Sequence, residues 1–289
     1  MEATTKLLVC VDGSMPYMES CLQYAEWIIK AMNATADILY VTDAHQFDFA
    51  MMGDFSGALG AQPYQRLCDQ LKQIETEKTR VVKETVEKFF EKAGLSDKIT
   101  FKHERGSLVD SCQAYEHSET GVDLILMGKR GENAAFATEH LGANLERVVR
   151  ASSKPCFIAC RKFTPIKKCA LAYDDGPSTR HALQFLIRSP FMKEIPIDLL
   201  YVCDEENPSE EVTEMLASAE KTLKDAGYQV NTVCLHDDVS DGIANYVTNN
   251  AIDVLMMGAY GHGRIRNLLI GSTTTELMRR CKNSVLLFR

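Results

Sequence analysis

Short apolar runs alternate with longer stretches whose apolar positions recur every three or four residues, and the alternation continues along the whole chain. From residue 168 onward the pattern is cleanest. It predicts strands over 168–174, 196–203, 228–235, 252–257 and 284–288, and helices over 177–188, 209–226, 241–249 and 272–281. Runs with no polar interruption, such as Val254-Leu-Met-Met257, suit strands covered on both faces. Strict βα alternation implies a parallel, doubly wound sheet, an α/β fold.

The pattern occurs twice. Asp123-Leu-Ile-Leu-Met-Gly-Lys-Arg-Gly131 matches Asp253-Val-Leu-Met-Met-Gly-Ala-Tyr-Gly261, and Leu141-Gly142-Ala143-Asn144 matches Ile270-Gly271-Ser272-Thr273. The openings correspond as well: Leu8-Val-Cys-Val-Asp-Gly-Ser14 with Ala170-Leu-Ala-Tyr-Asp-Asp-Gly176, and Leu39-Tyr-Val-Thr-Asp43 with Leu200-Tyr-Val-Cys-Asp204. Such self-similarity means tandem copies of one unit. The offset is 162 residues from Asp12 to Asp174 and 161 from Val41 to Val202 but 130 from Gly128 to Gly258, so the first copy holds about 31 extra residues between Val41 and Gly128. They are expected near 45–70, as a long loop running into a helix. The two domains are expected at 1–161 and 168–289, with Pro165 interrupting the pattern between them.

Length and composition agree with two cores: 289 residues, 45% hydrophobic and 25% charged. The net charge of −8, without a basic run, disfavours nucleic acid and acidic membrane surfaces as partners. No apolar run approaches the ~20 residues of a membrane span, and the start lacks the layout of a signal peptide. Of the ten cysteines, Cys10, Cys160, Cys169, Cys203 and Cys234 lie in apolar, strand-like segments and read as small buried hydrophobes. No CxxC pair occurs, and the expected setting is a cytoplasm that keeps thiols reduced.

Candidate chemistry gathers where strands end. In an open parallel sheet, ligands sit beyond the carboxyl ends of strands at the point where the winding reverses. Asp174-Asp175-Gly176 follows the first strand of the second copy, and Gly258-Ala-Tyr-Gly261-His262-Gly263 follows the fourth. If they share a site, those strands are neighbours and the order is 3-2-1-4-5. Glycines let the backbone approach a phosphate. A helix opening at Gly271 then offers the amides of Ser272 and Thr273 to an anion, with the positive end of its dipole behind them. The two hydroxyls can cap the helix or donate to phosphate oxygens, and Asp174 can accept hydrogen bonds from a ribose.

Alternatives stay open. Asp12 and Asp174 also fit helix caps or tight turns; the paired glycine loops favour a ligand role for Asp174, while Asp12 suits either. His262, Arg264 and Arg266 read as solvated loop residues or as phosphate contacts. The helix charges Glu75, Glu77, Lys78 and Arg80 read as a solvated face. There is no GxxxxGK[ST] loop, dinucleotide fingerprint, GxSxG elbow, HExxH or zinc-ligand spacing, and no catalytic residue is assigned.

Gly258-x2-Gly261-x9-Gly271-Ser272 fits the G-2x-G-9x-G-[S/T] signature of universal stress proteins, and the chain resembles that family twice over nearly its whole length. The resemblance implies two flavodoxin-like five-stranded sheets of order 3-2-1-4-5 in tandem. Members typically pair through their last strands, and here the two copies can form that pair within one chain. It further implies ATP or a related adenine nucleotide, with or without Mg2+, which some members bind and others do not. By that resemblance Asp174 holds the ribose, the backbone at Val202 meets adenine, and the two glycine segments, at Gly258 to Gly261 and at Gly271 with Ser272, cradle the phosphates; Met257, His262, Gly263, Arg264 and Thr273 complete the set of candidate binding residues. Asp12, Val41, Gly128, Gly131 and Gly142 are the first-copy counterparts.

That copy departs from the pattern: ten residues, not nine, separate Gly131 from Gly142, Ala143 replaces the hydroxyl residue, and Glu132 sits beside the would-be phosphates, with Lys129 and Arg130 able to offset its charge. It is read as a degenerate nucleotide loop that takes another ligand or serves as a structural partner. The expected function is a cytoplasmic stress-response protein that binds ATP in its second domain and acts through conformation or association, with slow ATP hydrolysis at most. Its partners would be an adenine nucleotide and an unknown protein, and further homodimerisation stays open. The alternatives are a nucleotide-independent interaction scaffold or a small-molecule binder through the first domain.

Overall fold

The computed structural model describes residues 5–42, 61–129, 142–189, 192–203, 208–259 and 271–289. The first half contains β1 (Lys6–Val11), α1 (Tyr17–Met32), β2 (Thr35–Thr42), α2 (Ala61–Lys92), β3 (Ile99–Arg105), α3 (Leu108–Glu116), β4 (Leu124–Gly128), α4 (Ala143–Ala151) and β5 (Cys156–Ala159). The second repeats the order with β6 (Cys169–Ala172), α5 (Pro177–Arg188), β7 (Ile197–Val202), α6 (Glu210–Asp225), β8 (Val230–Leu235), α7 (Val239–Asn249), β9 (Val254–Gly258), α8 (Ser272–Arg280) and β10 (Ser284–Phe288).

The strands form one sheet in the order β3-β2-β1-β4-β5-β10-β9-β6-β7-β8. Each half therefore has the expected 3-2-1-4-5 order and parallel pairing. The two five-stranded sheets are not separate, however. β5 and β10 join antiparallel, with Leu286 opposite Phe157, Val285 opposite Ile158 and Leu287 opposite Cys156. A fifth strand left at the rim would expose its unpaired amides and carbonyls; pairing the two rims removes both edges. All six of these side chains are buried, and Ser284 Oγ accepts from the Cys160 amide across the same seam at 3.1 Å.

The pleat distributes side chains to two layers. Leu7, Val9, Leu286 and Phe288 face one apolar layer together with α1, α2, α5 and α6, whereas Leu8, Cys10, Val285 and Leu287 face the layer under α3, α4, α7 and α8. Because β5 and β10 run in opposite directions, the carboxyl edge of one half lies at the amino edge of the other.

Helix α2 spans 32 residues, while its counterpart α6 spans 16. One sequence reading on α2 needs correction. Glu75 does not lie on a solvated face: it is 6% exposed and accepts a two-pronged hydrogen bond from Arg105 of β3, at 2.7 and 2.9 Å. Helical periodicity identifies a face but not what covers it, and β3 brings a guanidinium to this position. Glu77 and Arg80 are exposed and pair with one another, as expected.

No helix among the described residues is long and apolar enough to cross a membrane.

Candidate functional site

In a βα-alternating chain every helix begins at the carboxyl edge of the sheet, so the way each start is capped maps that edge. In the second half, Ser209 caps α6 by accepting from the Val212 amide, and Asp238 caps α7 by accepting from the amides of Ser240 and Asp241. Helices α5 and α8 start instead at Gly176 and Gly271, with no side-chain cap. The first half follows suit: Ser107 caps α3, whereas α1 and α4 start at Pro16 and Gly142 without a side-chain cap. Among the α-helix starts whose caps are described, those without a side-chain cap thus follow β1, β4, β6 and β9, the neighbouring strands at which the winding reverses in each half. A helix start not closed by its own side chain keeps first-turn amides for a ligand or water.

Around the second-half switch point, β6 and β9 pair in parallel, which puts Asp174 and Gly258 at neighbouring strand ends on one edge. Asp174 is exposed; its Oδ1 accepts from the Gly176 amide at 2.9 Å and from Thr179 Oγ1 at 2.7 Å. The turn reading of this carboxylate is therefore realised, and it fixes the direction in which the side chain projects. Asp175 stands in the left-handed region at φ 55°, held by the Tyr173 hydroxyl at 2.7 Å and by Arg180 at 2.9 and 2.8 Å. Burial, reinforced by that hydrogen bond to Asp175, pushes the Tyr173 hydroxyl well above the ordinary tyrosine range, so it donates at neutral pH. Neither Tyr173 nor Arg180 was singled out from sequence; a non-glycine residue in a position needing positive φ was the available sign.

On the other side of the edge, the Gly271 amide donates to Ala259 O at 3.1 Å, and Thr274 Oγ1 donates to Gly258 O at 3.0 Å. These two bonds tie the first turn of α8 to the end of β9. Ser272 and Thr273 remain exposed at the helix start. Val202 is half-buried as the last residue of β7. Met257 is buried within the core layer, so only its backbone is placed to meet a ligand. Gly261, His262, Gly263 and Arg264 lie outside the described residues, as do Arg266 and, in the first half, Arg130, Gly131 and Glu132.

The first-half edge differs. Asp12 Oδ1 accepts from both the amide and the hydroxyl of Ser14, at 2.9 and 2.5 Å. Gly13 takes the left-handed position at φ 78°, and an added Cβ would stand 3.0 Å from Val82 Cγ2 of α2. The long helix thus packs directly over the Asp12 turn. Beside it runs an open groove of about 510 Å³ lined by Asp12, Tyr40, Ile74, Glu77, Lys78 and Val81, among others, with Ile74 and Val81 exposed to solvent. Val41 is half-buried at the end of β2, and Gly128 closes β4 opposite Ala159. His103 stacks on Tyr40 with ring centroids 5.6 Å apart, and its Nε2 lies 2.8 Å from Thr42 Oγ1. Its pKa falls below the usual histidine value through burial first, with Arg105 adding to the fall and Glu75 opposing it, so the ring is neutral at pH 7.

Two halves of one sheet with paired fifth strands, and helix starts without side-chain caps at both switch points, set the frame for comparison with known proteins. A curated universal stress protein of Synechocystis sp. is 34% identical over 290 residues, covering 98% of this chain and 99% of that protein. Among solved structures, a universal stress protein from Archaeoglobus fulgidus superposes with a TM-score of 0.69 at 18% identity, covering 98% of this chain and 96% of that one. A protein of unknown function from Pseudomonas aeruginosa superposes with a TM-score of 0.57 at 14% identity, covering 99% and 92%. The universal stress protein family model matches residues 4–159 and again 165–289, and the chain belongs to that family.

Proposed function

We propose that this protein binds ATP or a related adenine nucleotide in its second half, and that it acts in a cytoplasmic stress response through conformation or association rather than through fast catalysis. One observation carries the reading. A side-chain carboxylate, Asp174, and a helix start with no side-chain cap, Gly271-Ser272-Thr273, stand at the ends of neighbouring strands on one edge. The carboxylate suits sugar hydroxyls as an acceptor, and the amides suit a phosphate as donors. The glycine spacing Gly258-x2-Gly261-x9-Gly271 supports the same assignment. Nucleotide bound at Gly258 and Gly271 would change a surface that another protein reads. Calorimetric titration of the full chain with ATP and with ADP, Mg2+ present, tests it. Micromolar affinity for either is expected; no heat of binding for both would end the nucleotide reading.

A second reading concerns the first half, and the open 510 Å³ groove between the Asp12 turn and α2 favours it. Its volume falls in the ordinary range of small-molecule sites. With α2 packed over the Asp12 turn and no hydroxyl residue at position 143, this half suits a compact, partly apolar ligand better than a triphosphate. The two readings are compatible, since they concern opposite edges of the sheet.

A further inference from the structure

The last residue of β4 is Gly128, and the next side chain, Lys129, does not stay in its own half. It is 8% exposed, and its ammonium donates to the carbonyl of Cys281, the residue that ends α8 in the second half. The same proximity shows on the Cys281 thiol: burial raises its pKa, while Lys129, and then Arg280, oppose the rise. A contact of the same kind runs the other way. Arg289, directly after β10, sends Nη1 to Arg150 O at 2.7 Å and Ser152 O at 3.4 Å. Those carbonyls close α4 in the first half.

The antiparallel seam produces this arrangement. It sets the carboxyl edge of each half against the carboxyl-terminal ends of the other half's helices. Helices α4 and α8 are the two that follow the glycine segments, and neither has a side-chain cap at its start. Their far ends carry the negative pole of the helix dipole and carbonyls with no partner inside the helix. Each far end receives a cation from the opposite half. A nine-residue helix is about 13 Å long, so its start and its clamped end are joined by little more than two turns of continuous hydrogen-bonded backbone.

We propose that Lys129 and Arg289 form a reciprocal clamp through which each half positions the glycine-started helix of the other, α4 or α8, so that the two candidate ligand edges are energetically linked. Lys129 is then a positioning residue for the second-half site: it sits next to the first-half glycine segment yet fixes α8. Occupancy of the first-half edge would shift Lys129 and thereby the amides of Ser272 and Thr273; by linkage, a ligand on those amides would act back on the first-half segment. The linkage rests on the nucleotide reading above, whereas the clamp itself does not.

Full-length wild type, Lys129→Met, Lys129→Arg and Arg289→Met separate the possibilities. Amide hydrogen exchange without nucleotide reads the clamp. Lys129→Met is expected to speed exchange over residues 277–281 roughly tenfold, the loss of one charge-assisted hydrogen bond at a helix end. Lys129→Arg should leave it near wild type, and Arg289→Met should speed exchange over residues 148–152 instead. Calorimetry with ATP reads the linkage: Lys129→Met is expected to weaken binding about fivefold, and Lys129→Arg to restore most of it. Unaltered exchange over 277–281 in Lys129→Met overturns the clamp whether or not nucleotide binds. Faster exchange with wild-type ATP affinity overturns the linkage. Wild type that binds no nucleotide defeats the nucleotide reading and the linkage with it, while the exchange result still decides the clamp.

Discussion

Asp198→Ala is expected to lower the unfolding free energy by about 3 kcal/mol. Asp198 is 2% exposed on β7, and it accepts from Lys168 Nζ at 2.6 Å, from the Tyr246 hydroxyl at 2.8 Å and from Asn231 Nδ2 at 3.4 Å. Removing one member of a buried pair strands the other and typically costs about 3–5 kcal/mol. The Lys168 side chain is a third exposed and can recover some water, which holds the loss at the lower end. Urea unfolding should show a lower midpoint with an unchanged slope. Spectroscopic titration gives a second check, because burial and then Asp198 push the Tyr246 hydroxyl up to about 12. Without the carboxylate that value should fall toward the ordinary tyrosine value. The repeat supplies an internal comparison: Asp37 pairs with Lys6 Nζ at 2.9 Å in the matching place, with more of its side chain exposed, and its loss should cost less. A stability change under 1 kcal/mol in Asp198→Ala would mean that the pair contributes no more than a surface bridge.

The second large effect falls on binding. Asp174→Asn is expected to weaken ATP about tenfold while leaving the unfolding midpoint where it was. An asparagine Oδ1 can still accept from the Gly176 amide and Thr179 Oγ1, so the turn and the start of α5 survive. What disappears is a charged acceptor for sugar hydroxyls, and hydrogen bonds to charged groups contribute roughly 1.5–3 kcal/mol where neutral ones contribute about 1. Equal affinities of the two proteins would reduce Asp174 to a turn residue. A large fall in midpoint together with lost binding would place its role in folding.

Much of this architecture is written in the local pattern. Helix α5 at Pro177–Arg188 and strand β10 at Ser284–Phe288 lie where the apolar periodicity puts them, because Pro177 opens the helix at a position that needs no donor and β10 is an unbroken apolar run. The strand order follows from two ligand-type segments needing one edge. Partners brought from far along the chain were not legible. Nothing local in Glu75 announces Arg105, 30 residues on, and nothing in Lys168 or Asp198 announces their buried pair. The sequence around Lys129 suggests a charge for the first-half loop; its contact with Cys281, 152 residues away, exists only because the fifth strands meet antiparallel. Of the site itself, the spacing of glycines and the position of Asp174 were readable. The capping pattern was not, since Ser107, Ser209 and Asp238 stand out as caps only once the starts at Pro16, Gly142, Gly176 and Gly271 are set beside them.

Native mass spectrometry of the freshly purified full-length chain tests the central claim most directly. The account predicts one adenine nucleotide per chain, lost in Asp174→Ala. A chain that carries no nucleotide and takes none up from added ATP would contradict the claim, and two per chain would contradict the assigned difference between the halves.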